Sequence, residues 1–204
     1  MKQIVLATNN EHKIREISYI LRDLPLSILS KKDFSDFPEA EETGQTLEDN
    51  AILKAKAIFK VTNVISVADD SGLEVAALEG RPGVNSARYA GPGCSFEDNN
   101  RKLLRELEGV PESERDAVFR CVIAVCFAED DLELVEGRVT GKITTEIRGR
   151  EGFGYDPVFF LPFYGKTFAE LPPEEKNKIS HRAIATNRAR DLLIKRLNLD
   201  FSAG

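Results

Sequence analysis

Apolar segments of two different periods alternate along the chain, and this alternation limits the possible folds more than any other feature. Residues 2–7, "KQIVLA", are apolar over the length of a strand, whereas the apolar residues between Ile14 and Leu24 recur at helical spacing. The same change of period is repeated several times before the C-terminus. Interleaved strands and helices of this kind predict an α/β fold with a mixed sheet.

Local signals place the first elements. We expect the first helix to begin near Asn9 or Asn10, and the second strand to cover "LSILS", residues 26–30. Thr46 is followed three residues later by Asp49, a capping-box spacing that predicts a helix through residue 62.

The remaining elements follow from the same reasoning. A helix over residues 95–109 is predicted, capped by Ser95 and closed by Gly109. Residues 117–128 and 132–147 are predicted to form a hairpin around the acidic "EDD", and this hairpin is expected to form a second lobe. The last helix should begin near Ser180.

Length and charge limit the classes of function. A chain of 204 residues with 42% hydrophobic content can bury its own core, as one large domain or two joined lobes. Its formal charge of −6 argues against a protein that coats nucleic acid. We also expect no membrane partner, because no apolar stretch approaches the roughly 18 residues of a membrane helix.

Cysteine usage points to a reducing compartment. The chain has an odd number of cysteines, Cys94, Cys121 and Cys126, without metal-binding spacing. Cys121 and Cys126 lie in an apolar run and are expected to be buried thiols, which fits a cytoplasmic protein.

An acidic pair follows an apolar run in "VISVADDSGLEV", residues 64–75. The sequence predicts that a strand ends at Asp69 and Asp70 and that Ser-Gly forms a turn, so a solvent-facing acidic turn is one interpretation. Because successive strand residues point to opposite faces, the other interpretation is that one carboxylate faces a ligand while its neighbour braces the turn. Mg²⁺ is usually held by one or two carboxylates with phosphates and waters, and the loop with Glu39, Glu41 and Glu42 could supply a second ligand.

A second candidate site lies in "LATNNEHK", where a strand leads through polar residues into a helix. Helix N-terminal amides attract phosphate, and Thr8, Asn9, Asn10 and Lys13 can add donors or charge. An ordinary helix cap is the alternative interpretation. The sequence contains no P-loop motif.

A third candidate combines aromatic residues with glycine. "EGFGYDPVFF" places Phe153, Tyr155 and Asp156 among glycines that would allow a flat ligand to approach, although a core-facing aromatic turn is also consistent with it. "EEKNKISHR" adds cationic and imidazole groups near the start of the last helix.

Six segments in order carry a resemblance over most of the chain, from Leu6 to Ala185. They are "LATNNEHKIREI", "EETGQTLEDNAILKAKA", "VADDSGLEV", "GRPGVNSARYAG", "GFGYDPVFF" and "EEKNKISHRAIA". Together they closely resemble the inosine/xanthosine triphosphate pyrophosphatase family. The resemblance implies an α/β fold with an elongated mixed central sheet flanked by helices, and one domain over residues 1–204 with an active site in the cleft between two lobes.

The resemblance also implies an activity and its residues. The expected protein is a Mg²⁺-dependent, homodimeric, cytoplasmic enzyme that hydrolyses ITP, dITP and XTP to the monophosphate and pyrophosphate. Asp70 matches the general base and metal ligand, and Glu41 matches the loop's metal ligand, with Glu42 as the choice after a one-residue shift. The positions that match the phosphate-binding turn are Thr8, Asn9, Asn10 and Lys13, with Lys54 as a further phosphate contact, and Ser71 matches a substrate contact. The positions that match the base-recognition segments are Phe153, Gly154, Tyr155, Asp156, Lys176, His181 and Arg182.

Two other functions remain open from the sequence. A Maf-type pyrophosphatase would cut the same bond in modified pyrimidine nucleotides. A purine nucleotide sensor would bind without turnover, although it would have little need of a water-activating carboxylate.

Overall fold

The computed structural model describes residues 2–35, 37 and 42–199. The chain divides into two units. Unit 1 comprises Met1–Asp70, Cys121–Gly137 and Arg182–Gly204, and unit 2 comprises Ser71–Arg120 and Arg138–His181.

The strands of the described residues form one mixed, eight-stranded sheet. Their bounds are β1 (Lys2–Leu6), β2 (Leu26–Leu29), β3 (Ile65–Val75), β4 (Pro82–Gly83), β5 (Asp116–Ala128), β6 (Asp131–Ile143), β7 (Phe159–Leu161) and β8 (Lys166–Thr167). The order is β2-β1-β3-β5-β6-β7-β8, with β4 paired to β3. β1 is parallel to β2 and β3, whereas β4, β7 and β8 pair antiparallel with their neighbours. The predicted mixed α/β fold is confirmed.

Five α-helices lie within the described part of the chain. They are α1 (Glu11–Leu21), α2 (Leu47–Thr62), α3 (Phe96–Glu106), α4 (Pro173–Ile179) and α5 (His181–Leu197). The predicted caps are present: the side chains of Asn10, Thr46 and Ser95 accept hydrogen bonds from the first-turn amides of α1, α2 and α3. The starts of these helices were therefore predictable from cap chemistry alone. None of the described helices is long and apolar enough to cross a membrane.

Each unit has its own apolar core. In unit 1, the buried faces of α1 and α5 supply residues such as Ile17 and Leu193, which cluster with Ile4, Val67 and Ile123 of the sheet. The cluster also contains Cys121, and both Cys121 and Cys126 are fully buried, as predicted.

The core of unit 2 is richer in aromatic rings. Phe119 lies 4.6 Å from Phe159, and Phe159 stacks on Phe168 at 5.4 Å between ring centroids. The His181 ring stacks on Phe119 at 4.4 Å and is almost parallel to it. Offset or tilted rings at such separations stabilise a core beyond the area they bury.

Two predictions about the fold are wrong. β3 does not end at Asp70 but continues to Val75, because Leu73 pairs with Gly83 of β4 and its amide donates to the Ser86 hydroxyl. These partners hold Ser-Gly extended where a turn was expected. The β5–β6 hairpin does not form the second lobe either, since both strands are divided between units 1 and 2. Helix α4 was not predicted as an element of its own.

Candidate active site

Asp70 lies inside β3 and is held by two side chains of α2. Its Oδ1 accepts a hydrogen bond from Lys54 Nζ at 2.7 Å, and its Oδ2 accepts one from Asn50 Nδ2 at 3.3 Å. Asn50 and Lys54 are one helical turn apart, so both reach the same point of the strand. Burial raises the pKa of Asp70, and the ammonium groups of Lys54 and Lys13 only partly offset this. Asp70 is thus a buried carboxylate with an enhanced tendency to take up a proton.

Asp69 has a different set of partners. Its Oδ2 contacts Lys13 Nζ at 2.8 Å and Arg182 Nε at 3.3 Å, and Arg182 also donates to Glu16 Oε2 at 2.6 Å. Burial opposes the charge of Asp69, but Lys13 and Arg182 outweigh it and hold the pKa of this carboxyl well below its usual range. Asp69 is therefore a permanent anion that joins α1 to α5 within unit 1.

The two aspartates contact different side chains, as expected for successive residues of a strand. We call these two aspartates, together with their cationic partners Lys13, Lys54 and Arg182, the acidic cluster. Lys54 contacts both aspartates, because its Nζ donates to Asp70 Oδ1 and also to the backbone oxygen of Asp69 at 2.6 Å. Burial opposes the Lys54 charge, yet the nearby carboxylates raise its pKa, so the ammonium stays charged.

The polar turn before α1 has the geometry of a helix cap with an adjacent cation. Asn10 Oδ1 accepts from the amides of His12 and Lys13, and Thr8 Oγ1 accepts from the amide of Asn10. Asn9 is exposed, and the Lys13 side chain keeps 15% of its surface accessible. The turn therefore offers an ammonium group and a helix N-terminus, both of which favour an anion.

The oxygen donors of the acidic cluster suit Mg²⁺. Lys54 Nζ lies 2.7 Å from Asp70 Oδ1 and 3.2 Å from Glu42 Oε1, so both carboxylates already face one cationic group. Glu41, the matched loop ligand, lies outside the described residues. Among the residues that are described, no group of three histidine, cysteine or acidic residues could hold a metal. Mg²⁺ does not require one, because phosphates and waters complete its shell.

Unit 2 brings together most of the predicted base-contacting residues. Asp156 Oδ2 accepts from Lys176 Nζ at 2.6 Å and from the backbone amide of Phe153 at 2.8 Å. Lys176 Nζ also lies 4.7 Å above the centre of the Phe153 ring. We call residues 153–156 the base segment. An aromatic face beside a buried ammonium can bind a flat ring that carries an oxygen acceptor.

The other predicted contacts are placed differently. Ser71 is half-buried in β3. Tyr155 is buried, and its hydroxyl donates to the Ser86 carbonyl oxygen at 2.9 Å. His181 is packed on Phe119, whereas Arg182, the next residue, belongs to the acidic cluster of unit 1. Arg182 was expected beside Lys176 at the base and instead contacts Asp69 and Glu16.

Sequence reasoning missed Asn50 and Glu16. Asn50 precedes Lys54 by one helical turn, and this spacing was the available signal, since an amide there can reach what Lys54 reaches. Glu16 offered no comparable signal, because its contact with Arg182 joins residues far apart in sequence.

The fold and these contacts define an α/β protein with a buried acidic site beside an anion-attracting helix N-terminus. The model of the Ham1 family matches residues 4–192, so the chain belongs to the Ham1 family.

Similar proteins cover nearly all of the chain. The chain is 51% identical over 193 residues to the dITP/XTP pyrophosphatase of Geobacter sulfurreducens, covering 95% of this chain and 97% of the relative. It is 46% identical to the Bacillus subtilis protein of the same name, covering 95% and 98%. A HAM1 protein structure from Coxiella burnetii aligns with a TM-score of 0.89 at 43% identity, covering 96% of this chain and all of that one.

Proposed function

We propose that this chain hydrolyses the deaminated purine nucleotides ITP, dITP and XTP to the nucleoside monophosphate and pyrophosphate. The observation that carries the proposal is the similarity over almost the full length to proteins named dITP/XTP pyrophosphatase. A Maf-type enzyme or a nucleotide sensor is not favoured, because the family match is to Ham1 proteins.

Asp70 is the proposed general base. Its raised pKa favours proton uptake from an attacking water, and the bonds from Asn50 and Lys54 fix its orientation. Asp69 is a weaker candidate for the general base, because Lys13 and Arg182 lower its pKa and so disfavour its taking up a proton. The adjacent carboxylates therefore divide the work into proton transfer by Asp70 and positioning of cations by Asp69.

The turn before α1 and two lysines are proposed to hold the triphosphate. Thr8, Asn9 and Asn10 lie at the N-terminus of α1, and Lys13 lies in its first turn. Lys54 adds a second ammonium from α2. Held by these groups, the outer two phosphates can leave together as pyrophosphate.

Mg²⁺ is the proposed cofactor, with Asp70 and Glu41, or Glu42 in its place, as protein ligands. Without a cation, a triphosphate beside a carboxylate would suffer repulsion of about 4 kcal/mol per unit-charge pair at ~4 Å and an effective dielectric of ~20. When bound, the ion offsets this repulsion and stabilises charge that develops on the phosphates.

The base segment is proposed to select the purine. The Phe153 ring can stack on the base, and the Lys176 ammonium beside it is a donor that suits an oxygen at C6. Hypoxanthine and xanthine carry that oxygen. Adenine carries an amino group at the same position, which would place one hydrogen-bond donor against another, the Lys176 ammonium. Ser71, Tyr155 and His181 remain predicted contacts of unit 2.

We further propose that the enzyme is a cytoplasmic homodimer, as the family resemblance implies. The three free cysteines support a reducing compartment. Sedimentation of the purified chain tests the dimer, which a single monomeric species at micromolar concentration would contradict.

A panel of nucleoside triphosphates tests the activity. ITP, dITP, XTP, ATP, GTP and modified dUTP are incubated with and without Mg²⁺, with separate assays for pyrophosphate and orthophosphate. We expect pyrophosphate from the first three and none after chelation of the metal. Orthophosphate as the first product, or preference for the modified pyrimidine, would contradict the proposal.

A further inference from the structure

Helix α3 contacts two consecutive residues of the base segment through one of its faces. The Phe96 ring lies 5.9 Å from the Phe153 ring, and Asn100 Nδ2 donates to the carbonyl oxygen of Gly154 at 2.9 Å. Phe96 and Asn100 are four residues apart and therefore share a face of the helix. All four residues belong to unit 2.

The Asn100 amide is fixed in one orientation. Gly154 offers a carbonyl oxygen, so only the nitrogen of the Asn100 amide can pair with it. The other amide atom, Oδ1, is buried and has no hydrogen-bond partner among the residues that the structure describes. A buried acceptor without a partner lowers stability. The favourable polar contact that Asn100 makes is therefore its hydrogen bond to the Gly154 carbonyl oxygen.

Gly154 is a position where the backbone needs such support. Its φ is +64°, in the left-handed region that glycine enters at no steric cost, and no side chain of its own restrains it. Its neighbours are held by other hydrogen bonds: the Phe153 backbone amide donates to Asp156 Oδ2, and the Tyr155 hydroxyl donates to the Ser86 carbonyl oxygen. Asn100 completes the set by holding the carbonyl between them.

The preceding residue, Asn99, provides a contrast. Asn99 Nδ2 donates to the Ala87 carbonyl oxygen at 3.2 Å, and its Oδ1 accepts from the Ala90 amide at 2.7 Å. Both asparagines are almost fully buried, and each donates to one backbone carbonyl. They differ in the segment they hold, because Asn99 restrains residues 87–90 and Asn100 restrains the base segment.

We propose that Asn100, supported by Phe96, is a positioning residue that sets base selectivity by fixing the backbone of the base segment. This inference rests on the proposed function. It assigns to α3 a role in recognition through residues that need not touch the nucleotide.

Matched substitutions test the role. Asn100→Asp and Asn99→Asp each replace one buried amide donor with a carboxylate oxygen that can only accept when ionised, so each variant loses one hydrogen bond to a backbone carbonyl. For Asn100→Asp we expect KM for ITP to rise roughly 10-fold, about the effect of one lost hydrogen bond. The kcat should change less than KM, and the ITP-to-GTP ratio of kcat/KM should fall. Asn99→Asp should keep the parent ratio.

Two further measurements keep the test independent of folding and of turnover. Phe96 is 44% exposed, so Phe96→Ala should fold normally and raise KM for ITP by a smaller factor. Hydrogen exchange of the peptide covering residues 152–158 should quicken in Asn100→Asp but not in Asn99→Asp.

The inference is overturned if the two Asn→Asp variants share one ITP-to-GTP ratio, or if residues 152–158 exchange alike in both. It is equally overturned if Asn100→Asp lowers kcat while KM is unchanged. A parent protein without activity on ITP would instead refute the proposed function, and the exchange measurement would then decide alone whether Asn100 positions the segment.

Discussion

The acidic cluster of unit 1 contains a buried lysine–aspartate contact, and the base segment of unit 2 makes another through Asp156 and Lys176, yet the two contacts serve different purposes. In unit 2, Lys176 and Asp156 lie 2.6 Å apart and nearly out of solvent, beside the Phe153 ring. In unit 1, Lys13, Lys54 and Arg182 share two adjacent carboxylates, Asp69 and Asp70.

The comparison shows that the chemical role of an aspartate carboxylate depends on its burial and on the cations around it. Two cations on Asp69 keep it ionised, while burial on Asp70 exceeds what its neighbouring ammonium groups supply, so its pKa is raised. In the base segment, Asp156 accepts from both the Lys176 ammonium and the Phe153 amide. A carboxylate whose charge is opposed by burial suits proton transfer, whereas a carboxylate held by two donors suits fixed geometry.

The largest expected effect is on stability, from Asp69→Asn. This change removes the charge shared by Lys13 and Arg182, and breaking a buried ion pair costs about 3–5 kcal/mol. Urea denaturation of both proteins measures the loss in the free energy of unfolding. A loss below ~1 kcal/mol would show that Glu16 alone is enough to stabilise the buried guanidinium group of Arg182.

Asp70→Asn should affect activity most. Loss of a general base lowers turnover by roughly 10² or more, and the variant also loses a buried partner of Lys54, so its free energy of unfolding should fall too. Pyrophosphate release at saturating Mg²⁺ gives the rate, and Asp69→Asn serves as the comparison. Near-normal turnover of Asp70→Asn would rule out this residue as the base.

Lys176→Met and Arg182→Lys separate the two regions by selectivity. Lys176 contacts the Phe153 ring, so its loss should lower the ITP-to-ATP ratio of kcat/KM about 10-fold, the effect of one buried polar mismatch. Arg182 contacts Asp69 and Glu16, so Arg182→Lys should lower both rates by a common factor. Equal ratios in the two variants would place Lys176 outside base recognition.

The change expected from Phe153→Ala falls on KM and leaves selectivity unaltered. Stacking of an aromatic ring on a base contributes about 1–3 kcal/mol and ignores the base edge, so KM for every purine substrate should rise by a similar factor of roughly 10. Steady-state kinetics with ITP and XTP test this. A change in their ratio would mean that Phe153 also reads the base edge.

Much of the local structure was predictable because its causes are local. The cap at Thr46 and Asp49 is made by residues three apart, and Ser95 with Asp98 repeats it for α3. Helical periodicity likewise predicted α5 from near Ser180. The end of β3 was predicted wrongly, because the Ser-Gly signal for a turn is weaker than the pairing of Leu73 with β4.

By itself, the sequence determined the helix starts, the mixed α/β fold and the identity of the acidic and aromatic candidates, since these depend on neighbours along the chain. Only the tertiary structure decided which partners the candidates have. Asp69 meets Arg182 from 113 positions away, Asp70 meets Lys54 across strand and helix, and Asn100 meets Gly154. Such pairings depend on which strands and helices pack together, and no spacing within a short segment encodes that. The division of labour between two adjacent aspartates follows from those partners, because burial and the nearby cations set each pKa.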